Sequence, residues 1–336
     1  MIDFLSNPSW INPQIDFLIF LQNIRIGHFE FLDKFFLSIT IFGEFWLPTV
    51  ICAIVYWCMD YRAGVYLFSL EGINSMITHF VKMLACVYRP WVLSDKIHPS
   101  ELAIPFAKGY SFPSGHSAMS SSVLGGVAFL LRKKKFICFL FICLVGIIGF
   151  SRLWLGVHTP QDVICGLLIG LTLVFVLNKL IDWAEEKPNR YLYLTLIINI
   201  IIISMIIYIK YFNVYPKDYI GGELLVDPTM SIHFTISVYG YIMGLLSGCF
   251  LCRRFFPYNP KEMSVRSRVI IGGIGIIFVV SMLRGTVLLL MNQEQLKYVF
   301  PIMTFGGFFV TLIYPLIFQS LLKLSNYRKV NNISMK

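Results

Sequence analysis

Two of the six histidines in this 336-residue chain, His116 and His158, sit among residues that suit anion binding. His116 closes the stretch Pro113-Ser114-Gly115-His116, just ahead of an apolar run. Pro and Ser in that place are a helix start, Gly115 lets a ligand approach the backbone, and the free N–H groups of a first turn favour phosphate. Ser114 adds a hydroxyl donor. His158 follows Arg152 by six residues and precedes Asp162 by four. Thr159 as N-cap and Pro160 at the first helical position predict a second helix start. The four-residue spacing lets the Asp162 carboxylate reach one imidazole nitrogen. That contact fixes the tautomer, leaves the other nitrogen free to attack, and favours the imidazolium that attack creates. Lys82 and Arg89, seven residues apart, are predicted to project from one face of a helix that Pro90 ends. Two guanidinium groups, an ammonium, a hydroxyl and backbone donors suit a tetrahedral anion and its trigonal-bipyramidal transition state. His158 reads as a nucleophile and His116 as the acid for a leaving oxygen. With no acidic cluster at metal-ligand spacing, the cations stand in for Mg²⁺, and neither cofactor nor metal is expected. Each piece taken singly has an ordinary reading: a capped helix, a surface histidine, an arginine snorkelling to headgroups.

The elements that must hold these residues are membrane helices. The chain is 57% hydrophobic and 14% charged, with mean hydropathy +0.73, a composition that a soluble core does not need. Nine spans are expected, at about 36–58, 64–88, 114–131, 136–151, 161–180, 191–210, 232–251, 269–290 and 300–322. The fold class is all-α, a polytopic membrane helical bundle. Residues 1–35 are interrupted by Asp16, Arg25, His28 and Glu30 and read as an interfacial segment lying on the membrane. No removable signal peptide is expected, because the start lacks a basic region and a small-residue cleavage site.

Alternating nine spans places most of the 28 basic residues on one side, including the run Arg132-Lys133-Lys134-Lys135 and the pair Arg253-Arg254. The positive-inside rule makes that side cytoplasmic. The net charge of +10 is then a topology signal, and no nucleic-acid partner is needed to explain it. Residues 89–113 and 151–162 share the opposite, outer face. The eight cysteines lie in or beside apolar runs and read as packing residues, Cys249-x-x-Cys252 included.

In order, Lys82-x6-Arg89-Pro90, Pro113-Ser114-Gly115-His116 and Ser151-Arg152-x5-His158-x3-Asp162 resemble the three motifs of the type-2 phosphatidic acid phosphatase and vanadium haloperoxidase superfamily. The resemblance covers roughly residues 36–182 and is specific as a set. It implies a helical core of five to six helices and a phosphohistidine on His158. It also implies proton donation by His116, support of His158 by Asp162, and phosphate binding by Lys82, Arg89, Ser114, Gly115 and Arg152. The expected organisation is an interfacial segment (1–35), a catalytic core (36–182), an accessory transmembrane bundle (190–324) and a cytoplasmic tail (325–336). The nine-span plan and Arg89-Pro90-Trp91-Val92-Leu93-Ser94-Asp95 are also similar to glucose-6-phosphatase.

The expectation is an integral-membrane phosphatase acting on a lipid phosphate or polyprenyl diphosphate among membrane lipids, at the extracytoplasmic face of what by analogy is a bacterial membrane. A phosphotransferase to a lipid acceptor and a sugar-phosphate phosphatase stand as alternatives. An anion transporter leaves His158 and Asp162 unexplained, and haloperoxidase chemistry needs no nine spans. Trp91, Tyr110 and Phe112 are expected at headgroup depth, with His98 and Lys108 as further headgroup contacts. Glu44 and Glu71 are acids inside spans, either of which is a partner for Lys82 or another cation. Arg284 is expected inside the bundle.

Overall fold

The computed structural model describes residues 7–220, 222–291 and 295–320. Among them the structure is helical, apart from a two-residue antiparallel pair, β1 (Tyr219–Ile220) and β2 (Glu223–Leu224). The helices are α1 (Pro8–Ile24), α2 (Leu32–Thr40), α3 (Trp46–Ile54), α4 (Tyr61–Ala85), α5 (Gly115–Met119, with a helical path continuing to residue 130), α6 (Lys135–Trp154), α7 (Pro160–Glu185), α8 (Pro188–Ile207), α9 (Pro228–Phe255), α10 (Val265–Met291) and α11 (Leu296–Phe308). The predicted tail 325–336 lies outside the described residues.

The chain is an integral membrane protein. Among the described residues six helices are long and apolar enough to cross a membrane: Lys135–Trp154, Pro160–Glu185, Asn189–Phe212, Pro228–Phe255, Val265–Leu290 and Leu296–Ser320. A seventh is the pair Leu32–Gly43 and Trp46–Met59, if counted as one span bent by 49°. The sequence predicts one continuous helix over 36–58. The break falls at Gly43–Phe45, where Glu44 takes an extended backbone. The two remaining predicted spans, 64–88 and 114–131, are helical but do not reach the same apolarity or unbroken length. Both face protein rather than lipid: α4 is buried almost throughout, and Ser117, Ser120, Ser121 and Ser122 are buried. A helix enclosed by other helices can carry polar residues, which in membrane proteins face the bundle interior.

α4 is the central element. Its Tyr66, Leu67, Phe68 and Leu70 pack in one hydrophobic cluster with Val174 and Leu177 of α7 and Tyr239, Ile242 and Leu245 of α9. That cluster runs through both chain halves, so the polar stretch 182–190 separates two segments of sequence rather than two cores. α7 lies directly on the start of α5, because a Cβ at Gly166 would meet the Ser114 carbonyl at 2.6 Å. Glycine is what lets the backbones approach so closely.

Two ends of the bundle carry different chemistry. At one end Arg62 pairs with Asp182 and Glu185, and Arg253 with Glu185. At the other lie Lys82, Arg89 and His158. α1 crosses that second end with Ile11, Ile15 and Leu18 packed against Ile97, and with 17 residues it is not among the helices long and apolar enough to cross a membrane. Gln14 Oε1 accepts from Gln161 N at 2.9 Å, and Gln22 Oε1 accepts from His98 N at 2.7 Å. Buried Arg25 donates to the carbonyls of Trp154 and His98. The N-terminal helix thus ties together the two loops that hold the candidate site. Arg284 is exposed on α10, contrary to its expected place inside the bundle. All eight cysteines are unpaired, and Cys249 and Cys252 are buried in α9.

Candidate functional site

α4 ends at Ala85, and Cys86 follows with a left-handed φ of 49°. Arg89 therefore stands beyond the helix on extended backbone, ahead of a single turn at Pro90–Leu93. The sequence places Lys82 and Arg89 on one helix face. The structure corrects this: Lys82 projects from the last turn of α4, and Arg89 returns to the same site from the loop. Lys82 Nζ donates to the carbonyls of Tyr110 (2.9 Å), Ser111 (3.1 Å) and Pro113 (3.0 Å). Arg89 is buried and donates to the carbonyls of Gly109 (3.2 Å), Lys108 (3.2 Å) and Val157 (2.9 Å). Both cations therefore hold the 108–113 loop against the turn before His158.

His158 is 2% exposed, in the short connection between α6 and α7. Its Nε2 lies 2.8 Å from Arg89 Nη1. A guanidinium only donates, so Nε2 carries the lone pair and the proton is on Nδ1. Nδ1 faces Asp162 Oδ2 at 3.3 Å and Ser111 Oγ at 3.2 Å. Ser111 Oγ donates to Asp162 Oδ2 at 2.6 Å, and Thr159 N donates to the same oxygen at 2.9 Å. Asp162, in the first turn of α7, thereby serves both its helix N-terminus and the imidazole. Burial, and then the neighbouring Arg89, Arg152, Lys82 and His116, hold the His158 pKa well below its ordinary value. The imidazole is neutral near pH 7, with its Nε2 lone pair directed at a guanidinium that an arriving anion would draw away.

Ser114 caps α5, accepting from Ser117 N at 3.4 Å and Ser117 Oγ at 2.9 Å, while its own N–H donates to the Asp162 carbonyl at 2.9 Å. A Cβ at Gly115 would meet nothing within 4 Å. His116 Nε2 is buried and makes no hydrogen bond among the described residues, as is true of Arg152 Nε. Arg152 Nη1 donates to Thr40 Oγ1 at 2.8 Å. Lys82, Arg89 and Arg152 all act electrostatically on both His116 and His158. The structure therefore brings together all eight residues singled out from the sequence.

Ser111 is the residue that sequence reading missed. It is fully buried and bridges Asp162 and His158 by its hydroxyl, while its carbonyl accepts from Lys82. Its only signal was its place three residues ahead of Ser114, which is a weak one. Other expectations need correcting. Tyr110 is 1% exposed and packs with Tyr88, so its ring meets protein and is not an exposed interfacial anchor. His98 and Lys108 have exposed side chains, as headgroup contacts would need, and their carbonyls accept from Arg25 and Arg89. Glu71 accepts from Thr49 and is not hydrogen-bonded to Lys82, whereas Glu44 accepts from Trp46 Nε1 at 2.8 Å and acts electrostatically on another cation, Arg152, as the sequence allowed.

Residues 63–186 match the family model for the PAP2 superfamily. The chain carries a PAP2 superfamily domain. It is similar to an undecaprenyl-diphosphatase of Sulfolobus acidocaldarius, 29% identical over 131 residues, which is 39% of this chain and 61% of that protein. It is 30% identical over 118 residues to phosphatidylglycerophosphatase B of Bacillus subtilis, covering 33% of this chain and 55% of that one. It is 29% identical over 182 residues to a lipid A 4'-phosphatase of Bacteroides thetaiotaomicron, covering 51% and 75%. The matches thus span between half and two thirds of the first two relatives, 61% and 55% of their lengths. Among solved structures, a transmembrane PAP2 type phosphatidylglycerolphosphate phosphatase from Bacillus subtilis aligns with TM-score 0.44 and 22% identity, over 54% of this chain and 90% of that one.

Proposed function

We propose that this PAP2-domain protein is a metal-independent phosphatase that hydrolyses a lipid phosphate or polyprenyl diphosphate through a phosphohistidine on His158. One observation carries the reading. A neutral His158, with its free lone pair held by Arg89 and its Nδ1–H held by Asp162 and Ser111, stands beside uncommitted polar atoms of His116 and Arg152. Such an arrangement suits a phosphoryl group with donors around it and a nucleophile at one face. The relatives' names, which specify undecaprenyl diphosphate, phosphatidylglycerophosphate and lipid A, support a phosphorylated lipid as the substrate class.

In this reading Arg89, Arg152, the Ser114 hydroxyl and the Gly115 and His116 amides hold the phosphoryl oxygens, and Lys82 joins them by exchanging one of its three carbonyl acceptors for a phosphoryl oxygen. His158 Nε2 attacks phosphorus, the bond from phosphorus to the leaving oxygen breaks, and His116 gives that oxygen its proton. Asp162 stabilises the imidazolium character that develops on His158. His116, now a base, takes a proton from water. The hydroxide so formed attacks phosphorus, the P–N bond breaks, and phosphate and the starting His158 are restored. Arg62 and Arg253, which pair with Asp182 and Glu185 at the end of the bundle opposite the site, support an extracytoplasmic site by the positive-inside rule, which counts the basic residues. Residues 36–182 are the catalytic part in this reading, with the helices after 190 as an accessory bundle.

The test is phosphate release by the purified protein in detergent with chelator, on phosphatidate, a polyprenyl diphosphate, sphingosine phosphate and glucose 6-phosphate. Release from a lipid, blocked by vanadate and lost in His158→Ala, is the expected result. A strict Mg²⁺ requirement would overturn it. Labelled phosphate appearing on a second lipid instead of in water would make the protein a phosphotransferase.

A further inference from the structure

Below the candidate site, α4 carries a second set of polar groups that the phosphatase reading does not use. Glu71, Asn74, Ser75 and Thr78 succeed one another at helical spacing on the face that ends at Lys82. Glu71, Asn74 and Ser75 are 0%, 1% and 2% exposed. Thr49 of α3 donates to Glu71 Oε1. The other carboxylate oxygen, Oε2, makes no hydrogen bond among the described residues. Neither do Asn74 Oδ1, Ser75 Oγ or the hydroxyl of Tyr241, which comes from α9 and lies against Glu71. The titratable groups facing Glu71 are Cys52 of α3 and Tyr241 of α9, and no cationic side chain acts on it among the described residues.

A carboxylate buried this way, with only the Thr49 hydroxyl and the Cys52 thiol on it and no cation beside it, is among the most costly groups in a membrane protein. It must be neutralised where it stands. Apart from the Cys52 thiol, the unpartnered polar atoms of this face and of Tyr241 are oxygens, which are hard ligands, and they carry one formal negative charge. That set matches a small monovalent cation, whereas a divalent ion would remain undercompensated.

We propose that Glu71, Thr49, Asn74, Ser75 and Tyr241 form an intramembrane site for a monovalent cation, a proton or Na⁺, at the seam of α3, α4 and α9. The seam joins the two halves of the chain, so the bound cation stabilises the packing of α9 on α4. Lys82 lies eleven residues farther along α4, about 16 Å at the rise of an α-helix. The two sites thus share a rigid element without touching.

The test is thermal unfolding of the purified full chain in detergent, without substrate, with NaCl exchanged for choline chloride at constant ionic strength and several pH values. Glu71→Gln keeps the shape and removes the charge, and Tyr241→Phe keeps the volume and removes one oxygen. For sodium, the wild-type melting temperature rises saturably with Na⁺. The rise is absent in Glu71→Gln, and its midpoint moves at least about threefold in Tyr241→Phe. For a proton, Na⁺ has no effect, and wild-type stability falls as pH rises while that of Glu71→Gln does not. Wild type and Glu71→Gln responding alike to both Na⁺ and pH would overturn the proposal. If Glu71→Gln does not fold, identical responses of wild type and Tyr241→Phe would overturn it equally.

Discussion

Ser111→Ala isolates how the candidate nucleophile is held. The substitution removes one oxygen at a fully buried position and leaves the Ser111 carbonyl in place for Lys82. Asp162 Oδ2 then keeps Thr159 N at 2.9 Å and His158 Nδ1 at 3.3 Å, and loses the donor at 2.6 Å, its shortest contact. Asp162 Oδ1 already has no partner among the described residues. A hydrogen bond to a charged group is worth about 1.5–3 kcal/mol, and each ~1.4 kcal/mol is tenfold in rate. If most of that bond serves to orient the imidazole for attack, kcat falls by about 10- to 100-fold. KM changes little, because the Ser111 hydroxyl is not among the groups assigned to the phosphoryl oxygens. The acid limb of the pH profile moves up, because an Asp162 charge no longer dispersed by Ser111 makes His158 easier to protonate. The assay is phosphate release against substrate concentration from pH 4.5 to 8, with circular dichroism to show that the variant is folded. A kcat within twofold of wild type, or a loss confined to KM, would refute the reasoning.

Other expectations follow from the same geometry. His116→Ala should lose about 10²- to 10⁴-fold in kcat on a substrate with a poor leaving group, the range of general acid catalysis, and much less on a p-nitrophenyl phosphate, whose leaving oxygen needs no proton. Asp162→Asn should lower kcat more than Ser111→Ala does, because it removes the charge as well as a hydrogen bond, and parallel kinetics of the two variants check the order. His158 is neutral in the folded protein but titrates near its ordinary value, about 6.5, once unfolded. The unfolded chain therefore binds the extra proton as pH falls through that value, and stability drops. In the anion-free protein the drop approaches about 1.4 kcal/mol per pH unit below that point, and His158→Asn should show a shallower acid slope in urea unfolding. Gly166→Ala should weaken the α7–α5 contact, because its Cβ meets the Ser114 carbonyl at 2.6 Å. The expected loss is about 1–3 kcal/mol of stability together with activity, read by thermal unfolding and phosphate release.

Much of the site was legible because its parts obey local rules. Pro160 and Thr159 announce the start of α7, and the spacing of His158 and Asp162 is the reach of one helical turn. Arg89 illustrates the limit. Its separation from Lys82 is helical arithmetic, but the helix stops at Cys86 in a left-handed conformation that non-glycine residues seldom adopt, and tertiary contacts decide that. Arg89 reaches the predicted place by an unpredicted route. Ser111 was hidden because a serine in a loop is unremarkable until the loop closes over Lys82. The break between α2 and α3 falls at Gly43, where the chain passes the backbone of His116 with no room for a Cβ, a tertiary constraint with only a glycine to mark it. Tyr110 misled for a related reason, since an aromatic near a span end reads as an interfacial anchor whether or not the loop buries it.

The polarity of α4 also bears on how the protein is made. A segment carrying Glu71, Asn74, His79 and Lys82 partitions poorly into lipid on its own. As synthesis proceeds, α4 emerges before α7 and α9, the helices that bury it. It must therefore remain near the insertion machinery, or be held by α3, until those later helices arrive. The earliest moment at which Lys82 can be fixed relative to His158 is set by the emergence of α7 from the ribosome, so a ribosome stalled before that point would carry a half-bundle in which the candidate site is not yet assembled.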